Sequence, residues 1–342
     1  MRTQLIDAFR LQADWCRNLD SPFTGAVLDH LIEDLATGGP TVQRLAAWTG
    51  DPVAGALALR VAGGLHHLAR TGLDPALASL YPPMGDETRL KAALQAAMTS
   101  HDAIWTDFLA GPPQTNEVRR SMAMLPAFLT AAAAYPLPID LYEIGSSAGL
   151  NLCWDRYRYQ GPDWVRGEVD SPLTLTTDWT GPTPPDAPIE VAYRQGCDVA
   201  PIDISDPAAL ERLAAYVWAD QPERLSRLFT AAEIVTDEKP EIAAQDAGDW
   251  LGERLPNRQP GHLAIVYHSV MWPYLPPATK AAVQAALDKA ASQATTANPL
   301  AYVRFEQDGS GGYEVLLKLW PEGTTRRIAI ADPHGRKVRY TP

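Results

Sequence analysis

Apolar residues recur at helical spacing along roughly the first third of the chain and then give way to short strand-like blocks that alternate with helices. Leu5, Phe9 and Leu11, followed by Ala26, Leu28, Leu31 and Leu35, return near a 3.6-residue period, which puts an apolar stripe on one face of each segment. Gly38-Gly39-Pro40, Gly50-Asp51-Pro52, Gly72 and Pro82-Pro83 punctuate the pattern. The spacing predicts helices over Val53–Arg70, Glu87–Ala110 and Thr115–Ala134, with the side chain of Thr115 or Asn116 capping the last of them. Residues 1–135 therefore read as an all-helical amino-terminal or cap region.

From residue 136 the pattern changes. Leu137–Ile144 is a short β-rich run that breaks at Gly145 and enters a predicted helix over Ala148–Tyr157. Strands are expected at Ile189–Arg194, Glu241–Gln245, His262–Tyr267 and Leu300–Glu306, and helices at Asp206–Ala232 and Pro277–Ala294. Asp206-Pro207 supplies a cap and first turn. His262–Tyr267 is an unbroken apolar run after its first residue, the mark of a strand covered on both faces. Tyr313–Leu319 and Arg326–Ala331 flank a Pro-Glu-Gly turn and read as a terminal antiparallel hairpin. Such alternation calls for an α/β fold, a doubly wound, mostly parallel sheet covered by helices, spanning 136–342. Gly161–Pro188, dense in Pro, Asp, Thr and Gly, reads as an irregular insertion.

Composition narrows the function classes. Hydrophobic residues make up 46% of the 342 positions, enough for a sizeable core. Lys and Arg number 29 against 41 Asp and Glu, a net charge of −12. That balance lacks the basic stripe a phosphate backbone requires and argues against nucleic acid as a partner. No run approaches the roughly 18–20 apolar residues of a membrane span, so no membrane partner is expected. Cys16, Cys153 and Cys197 are odd in number and far apart, consistent with reduced thiols in a cytoplasmic protein, and they form no metal-ligand pattern. His66-His67 adjoin on a helix and point to different faces, so no metal site is read there either. Oligomeric state leaves no trace in the sequence.

Candidate chemistry concentrates in Glu143-Ile144-Gly145-Ser146-Ser147-Ala148-Gly149-Leu150-Asn151, where a buried strand turns into a helix. In a doubly wound sheet that turn borders the crevice beyond the carboxyl ends of the strands. Gly145 permits the sharp bend, Gly149 permits close packing, and the free amides of a helix amino terminus would face the crevice. Glu143 is placed to accept from a ligand amine or hydroxyl. The same five residues, Gly145 to Gly149, also satisfy G-x-S-x-G, the nucleophile elbow of serine hydrolases, with Ser147 as nucleophile and His268 or His334 as base. Against this stand the helical upstream region, where that fold needs strands, and the absence of a preceding HGGG-type segment. Downstream, Asp198 follows the second strand, Asp246-Ala247 the third, and His268 ends the fourth, with Trp272 and Tyr274 behind it. His268 is a candidate general base, and Trp272 and Tyr274 candidate pocket walls. Gln114–Arg120 places Asn116 and Arg119 ahead of the first strand, where amide and guanidinium groups suit a carboxylate or amide.

The acidic residue followed by a glycine-rich turn resembles motif I of class I S-adenosylmethionine methyltransferases, with Ser147 standing where many members carry a second glycine. The resemblance implies a Rossmann-like methyltransferase domain. In it Glu143, Gly145, Ser146, Ser147, Gly149, Asp198, Asp246 and Ala247 contact S-adenosylmethionine. Asp198 takes the ribose, and Asp246-Ala247 lie around adenine. Asn116, Arg119, Trp272 and Tyr274 meet a small-molecule substrate, and His268 faces the transferring methyl. The helical region then caps the crevice. A non-catalytic sensor of a nucleoside-type ligand with the same fold is the alternative reading. Taken together, several stretches resemble a bacterial family known only as domain of unknown function 2332. They are Gln114–Arg120, Glu143–Leu150, Asp155-Arg156-Tyr157, Arg194-x-Gly196-x-Asp198, Pro201-x-Asp203, Val217-Trp218, Glu223-Arg224-Leu225, His268–Pro276 and Asp332-Pro333-His334-Gly335. The resemblance spans nearly the whole chain and implies no particular reaction.

Overall fold

The structure, a computed structural model, describes residues 2–82 and 87–342. The expected stop at Pro82-Pro83 lies partly outside the described residues. The helices are α1 (Arg2–Asn18), α2 (Pro22–Thr37), α3 (Pro40–Arg44), α4 (Leu57–Arg70), α5 (Pro75–Ala78), α6 (Glu87–Thr99), α7 (Asp102–Ala110), α8 (Arg120–Ala134), α9 (Pro207–Ala215), α10 (Pro222–Glu238), α11 (Ala247–Arg254) and α12 (Pro277–Ser292). The chain divides into two compact units, one of residues 1–115 with 205–226, the other of residues 116–204 with 227–342. The division differs from the expected one at 135 because α8 packs on strands of the second unit and because α9, far along the chain, belongs to the first.

The first unit is helical. Leu28, Leu31 and Leu35 of α2 and Val61, Leu65 and Leu68 of α4 share one apolar core with Phe9 and Trp105. Of the stripe read from the sequence, Leu5, Phe9, Leu28, Leu31 and Leu35 are buried, whereas Leu11 is exposed and Ala26 half-buried. The helix expected over Glu87–Ala110 is split into α6 and α7 at His101, whose φ of 60° ends one helix and starts the next. The helix expected over Asp206–Ala232 is likewise two, α9 and α10. Asp206 caps α9 as expected, accepting from the Ala208 amide at 2.9 Å. Residues 216–221 interrupt the run.

The second unit is built on a nine-stranded sheet. Its strands are β1 (Ile139–Ile144), β5 (Asp178–Thr180), β6 (Val191–Asp198), β7 (Glu241–Ala244), β8 (Leu263–Ser269), β9 (Leu300–Gln307), β10 (Tyr313–Trp320), β11 (Thr324–Ala331) and β12 (Lys337–Tyr340). They are ordered β5-β12-β11-β10-β9-β8-β1-β6-β7. β7, β6, β1, β8 and β9 run parallel. β10, β11 and β12 continue from β9 as an antiparallel meander, so the expected terminal hairpin is part of a longer ribbon. The expected irregular insertion contains β3 (Val165–Gly167) and β4 (Thr174–Thr176), which flank β2 (Arg158–Gln160) in a separate three-stranded sheet; β5 then pairs with β12 at the edge of the large one.

Every residue of β1 and β8 is buried. Their alternate side chains supply two cores, as the two-residue repeat of a strand requires. Tyr142, Ile144, Ala264 and Val266 pack with Trp250 of α11 and with Val283 and Leu287 of α12. On the opposite face Phe128 of α8 stacks on Trp154 at 4.5 Å and meets Tyr267 edge-on at 5.2 Å. Leu141 and Glu143 point to that second face by the same alternation.

Candidate functional site

The strand order reverses direction at β1: the chain goes outward to β6 and β7 on one side and later to β8 and β9 on the other. The carboxyl ends of β1, β6 and β8 meet there. At this point the backbone bends through Gly145 (φ 69°), Ser147 (φ 54°) and Gly149 (φ 75°). Left-handed φ values at 145 and 149 explain the two glycines. Ser147 holds the same region at a strain cost.

Four amides of the bend are tied into the protein. Gly145 and Ser146 both donate to the Cys197 carbonyl, at 2.8 and 3.0 Å, and Gly149 donates to the Ser146 carbonyl at 2.8 Å. Ser147 donates to Asp198 Oδ2 at 3.0 Å. The predicted helix over Ala148–Tyr157 is instead a seven-residue 3-10 helix, Leu150–Arg156, kinked at Cys153. Gly149 in the left-handed region cannot continue a right-handed helix back toward the strand. The Tyr157 hydroxyl also donates to the Leu150 carbonyl, and the Tyr159 hydroxyl to the Trp154 carbonyl at 2.7 Å. These side chains take carbonyls that an α-helix would have used. The space a side chain would fill at Gly145 is occupied by Met271: a Cβ there would lie 2.7 Å from its Cε. A Cβ at Gly149 would meet Ile242 Cδ1 at the same distance.

Residues 116–120 form a strap beside the bend. Asn116 caps no helix; α8 begins at Arg120, and the Asn116 amide nitrogen donates to the Ser146 carbonyl at 2.7 Å. Asn151 Nδ2 donates to the Glu117 carbonyl at 3.4 Å. Arg120 Nε donates to the Pro333 carbonyl at 3.1 Å, and its NH1 to the Ser269 carbonyl at 3.3 Å. The Asp332–Gly335 turn and the end of β8 are thus held to the strap through one guanidinium. Arg119 lies between these anchors. Four of the stretches that carried the family resemblance meet here, through Asn116 and Arg120, Ser146, Ser269 and Pro333, with Arg120 and Pro333 213 positions apart.

Glu143 is 3% exposed, and its Oε2 has no hydrogen-bond partner. Burial, with the Asp198 charge adding to it, pushes its carboxyl well above the usual value, against the pull of Arg120. Asn116 Oδ1 and Asn151 Oδ1 are also buried and unpartnered. Tyr267 stands opposite Glu143 in the parallel register and donates its hydroxyl to the Asn151 carbonyl at 3.0 Å, so Asn151 sits over the Glu143 end of the strand.

His268 lies in a cluster of its own. The ring is 0% exposed; Nδ1 is 2.7 Å from Glu306 Oε1, Nε2 is 2.8 Å from the Tyr302 hydroxyl, and Trp272 stacks on its face. Glu306 Oε1 also accepts from the amides of Met271 and Trp272, at 3.0 and 3.2 Å. Burial raises the Glu306 carboxyl, but the His268 hydrogen bond and charge and the two amides outweigh it and hold it below its ordinary value. Both nitrogens of the expected base are therefore engaged, and what the cluster does is fix residues 270–272, with Val270 strained at φ 52°. Trp272 is partly exposed and Tyr274 is 70% exposed.

The other expected contacts have structural duties. Asp198 Oδ1 accepts from the Ala200 amide at 2.9 Å while Oδ2 accepts from Ser147, leaving further lone pairs on each oxygen. Asp246 caps α11 through the Gly248 amide at 2.8 Å and accepts from the Thr279 hydroxyl at 2.6 Å; Ala247 is buried in the helix start. Asn151 and Arg120 stood within the motifs read from the sequence but were not singled out. Glu306 and Tyr302 carried no signal, since they reach His268 only across a parallel strand pair. Among the described residues no group of three His, Cys, Asp or Glu is arranged to hold a metal, and no helix is long and apolar enough to cross a membrane.

The fold and site define an α/β protein whose polar, incompletely satisfied cluster lies at the carboxyl edge of its parallel strands. A family model described as an uncharacterized protein conserved in bacteria, domain of unknown function 2332, matches residues 6–340, and the chain belongs to that family. No curated protein matches the chain. No solved structure matches it either.

Proposed function

We propose that this protein is an S-adenosylmethionine-dependent methyltransferase acting on a small molecule, with its site at the carboxyl edge of β1, β6 and β8. The observation that carries the reading is the parallel order β7-β6-β1-β8-β9, whose reversal puts the Glu143–Gly149 bend where Rossmann-like sheets bind their ligands. The residues present fit the cofactor in part. Glu143 has an unpartnered oxygen for an amine, and Asp198, ending the neighbouring strand, has lone pairs left for a diol. The amides of Gly145, Ser146, Ser147 and Gly149 are already engaged within the chain and contribute nothing to the fit, and Asp246 is occupied in capping α11 and accepting from Thr279.

Bound there, the cofactor supplies a methyl group already activated on a sulfonium. The work left to the protein is orientation and exclusion of water. Asp198 and Glu143 orient; Met271, packed on Gly145, and Trp272, fixed by Glu306, shield. His268 acts by holding that shield through Glu306.

Adding S-adenosylhomocysteine in a thermal unfolding assay tests the reading. At 100 times its dissociation constant a ligand stabilises the folded state by about 2.7 kcal/mol. Absence of any shift at millimolar ligand overturns both the methyltransferase and a nucleoside sensor. A shift without methyl transfer to a metabolite pool selects the sensor. One observation favours a second reading, a serine hydrolase: the left-handed φ at Ser147 inside Gly145–Gly149. Failure of Ser147 to react with a fluorophosphonate discards it.

A further inference from the structure

We infer that Glu143, Asn116 and Asn151 form a binding site for a primary ammonium group. Three buried acceptor oxygens, Glu143 Oε2, Asn116 Oδ1 and Asn151 Oδ1, have no donor among the described residues. Buried polar atoms in native proteins are almost always paired, so three orphans in one neighbourhood call for an occupant. The neighbourhood is fixed by independent contacts. Asn116 is tethered to Ser146 at the bend, and Asn151 to Glu117 beside Asn116. Tyr267, the sheet neighbour of Glu143, reaches Asn151.

The chemistry of the three oxygens selects the occupant. Each asparagine donates an amide N–H to a backbone carbonyl, which orients the amide, and its oxygen is the atom left without a partner. All three remaining atoms are thus acceptors. An alkylammonium offers three donors on one centre and a positive charge that a buried carboxylate compensates. An anion would meet only acceptors, and a hydroxyl offers one donor for three oxygens. Asn151 is 2% exposed whereas Asn116 is partly open, so the approach is from the Asn116 side. The elevated Glu143 carboxyl agrees: without the ammonium the group is driven toward its neutral form, and with it the charge is restored.

This inference deepens the methyltransferase reading by naming the end of the ligand this cluster receives. It rests on that reading for the ligand's identity and not for the site. Two sources share the chemistry, the amino-acid end of the methyl donor and a free amine substrate. Binding is measured by calorimetry for three probes, S-adenosylhomocysteine, its deaminated counterpart and putrescine, on the wild type and on Glu143→Gln. The Gln side chain keeps the shape but presents a donor where the carboxylate accepted, and circular dichroism checks that the variant is folded. Loss of the amino group, or the Glu143→Gln change, is expected to weaken binding roughly 10- to 100-fold.

If S-adenosylhomocysteine binds and its deaminated form binds that much more weakly, the donor's amino group is the occupant and both readings stand. If S-adenosylhomocysteine fails but putrescine binds the wild type and not Glu143→Gln, the ammonium site stands and the methyltransferase reading falls. Equal binding of the aminated and deaminated probes overturns the inference. So does failure of both amines, which leaves ordered water as the occupant.

Discussion

Two buried carboxylates stand three residues apart on β1 and meet opposite fates. Asp140, 2% exposed near the start of the strand, lies 2.8 Å from His262 Nδ1. Glu143, near the strand's carboxyl end, is as deeply buried and keeps an oxygen with no partner. Burial raises both carboxyls above their ordinary values, and only Asp140 has a neighbouring imidazole to pull it back. The same strand therefore carries one acid whose burial is compensated inside the protein and one whose burial is not. An acid buried without a partner costs stability, which is why its carboxyl is driven toward the neutral form. That contrast separates an end of the strand where the acid has a partner from an end where it has none.

The sharpest way to break the contrast is Asp140→Ala. Removing one member of a buried pair is expected to cost about 3 kcal/mol in urea unfolding; a loss under about 1 kcal/mol would mean that the pair is not structural. Next comes Glu306→Gln, at the carboxyl edge, where one oxygen accepts from His268, Met271 and Trp272. Replacing an ionised acceptor of three donors should cost about 2 kcal/mol, which would show that not every acid at that edge is spare.

Glu143→Gln is expected to act in the opposite sense and stabilise the unliganded protein by about 1 kcal/mol, since its amide supplies a donor to the orphan acceptors. The gain should depend on pH. Below about pH 4.5, the ordinary carboxyl value, Glu143 is protonated folded and unfolded and contributes no pH dependence. As pH rises above that value the unfolded chain releases its proton while the folded chain retains it, so wild-type stability falls until the raised folded value is passed. The advantage of the Gln variant should therefore widen from pH 4.5 to neutrality, as read by urea titrations of the two proteins side by side. A difference that narrows over that range contradicts the direction assigned to Glu143.

The parts of the fold that depend on short-range pattern were legible in the sequence. β1, β8, β9 and the pair β10 and β11 lie within a few residues of their predicted bounds, because continuous or alternating apolar runs and a Pro-Glu-Gly turn encode them locally. β5 and β12 were not seen. Each is short, and β5 becomes a strand only by pairing with a partner more than a hundred positions away. The helix expected after Gly149 failed for a comparable reason: buried tyrosine hydroxyls claim its carbonyls, and nothing local announces that. At the site, Glu143 and Asn116 were readable from their places beside a glycine bend and ahead of a helix. The role of Asn116 was not, since its partner Ser146 is fixed only by the tertiary fold. Glu306 could not be found at all without the β8–β9 register.

The grip of Arg120 on the Pro333 carbonyl bears on biosynthesis. A nascent chain still short of residue 333 has made both asparagines, both strand-end acids and the glycine bend, yet lacks the carbonyl that anchors the guanidinium. Translation must therefore run almost to the last strand before that edge of the sheet takes its finished shape, and a stop codon placed just ahead of Asp332 is expected to yield protein whose upstream strands are present but whose strap is left loose.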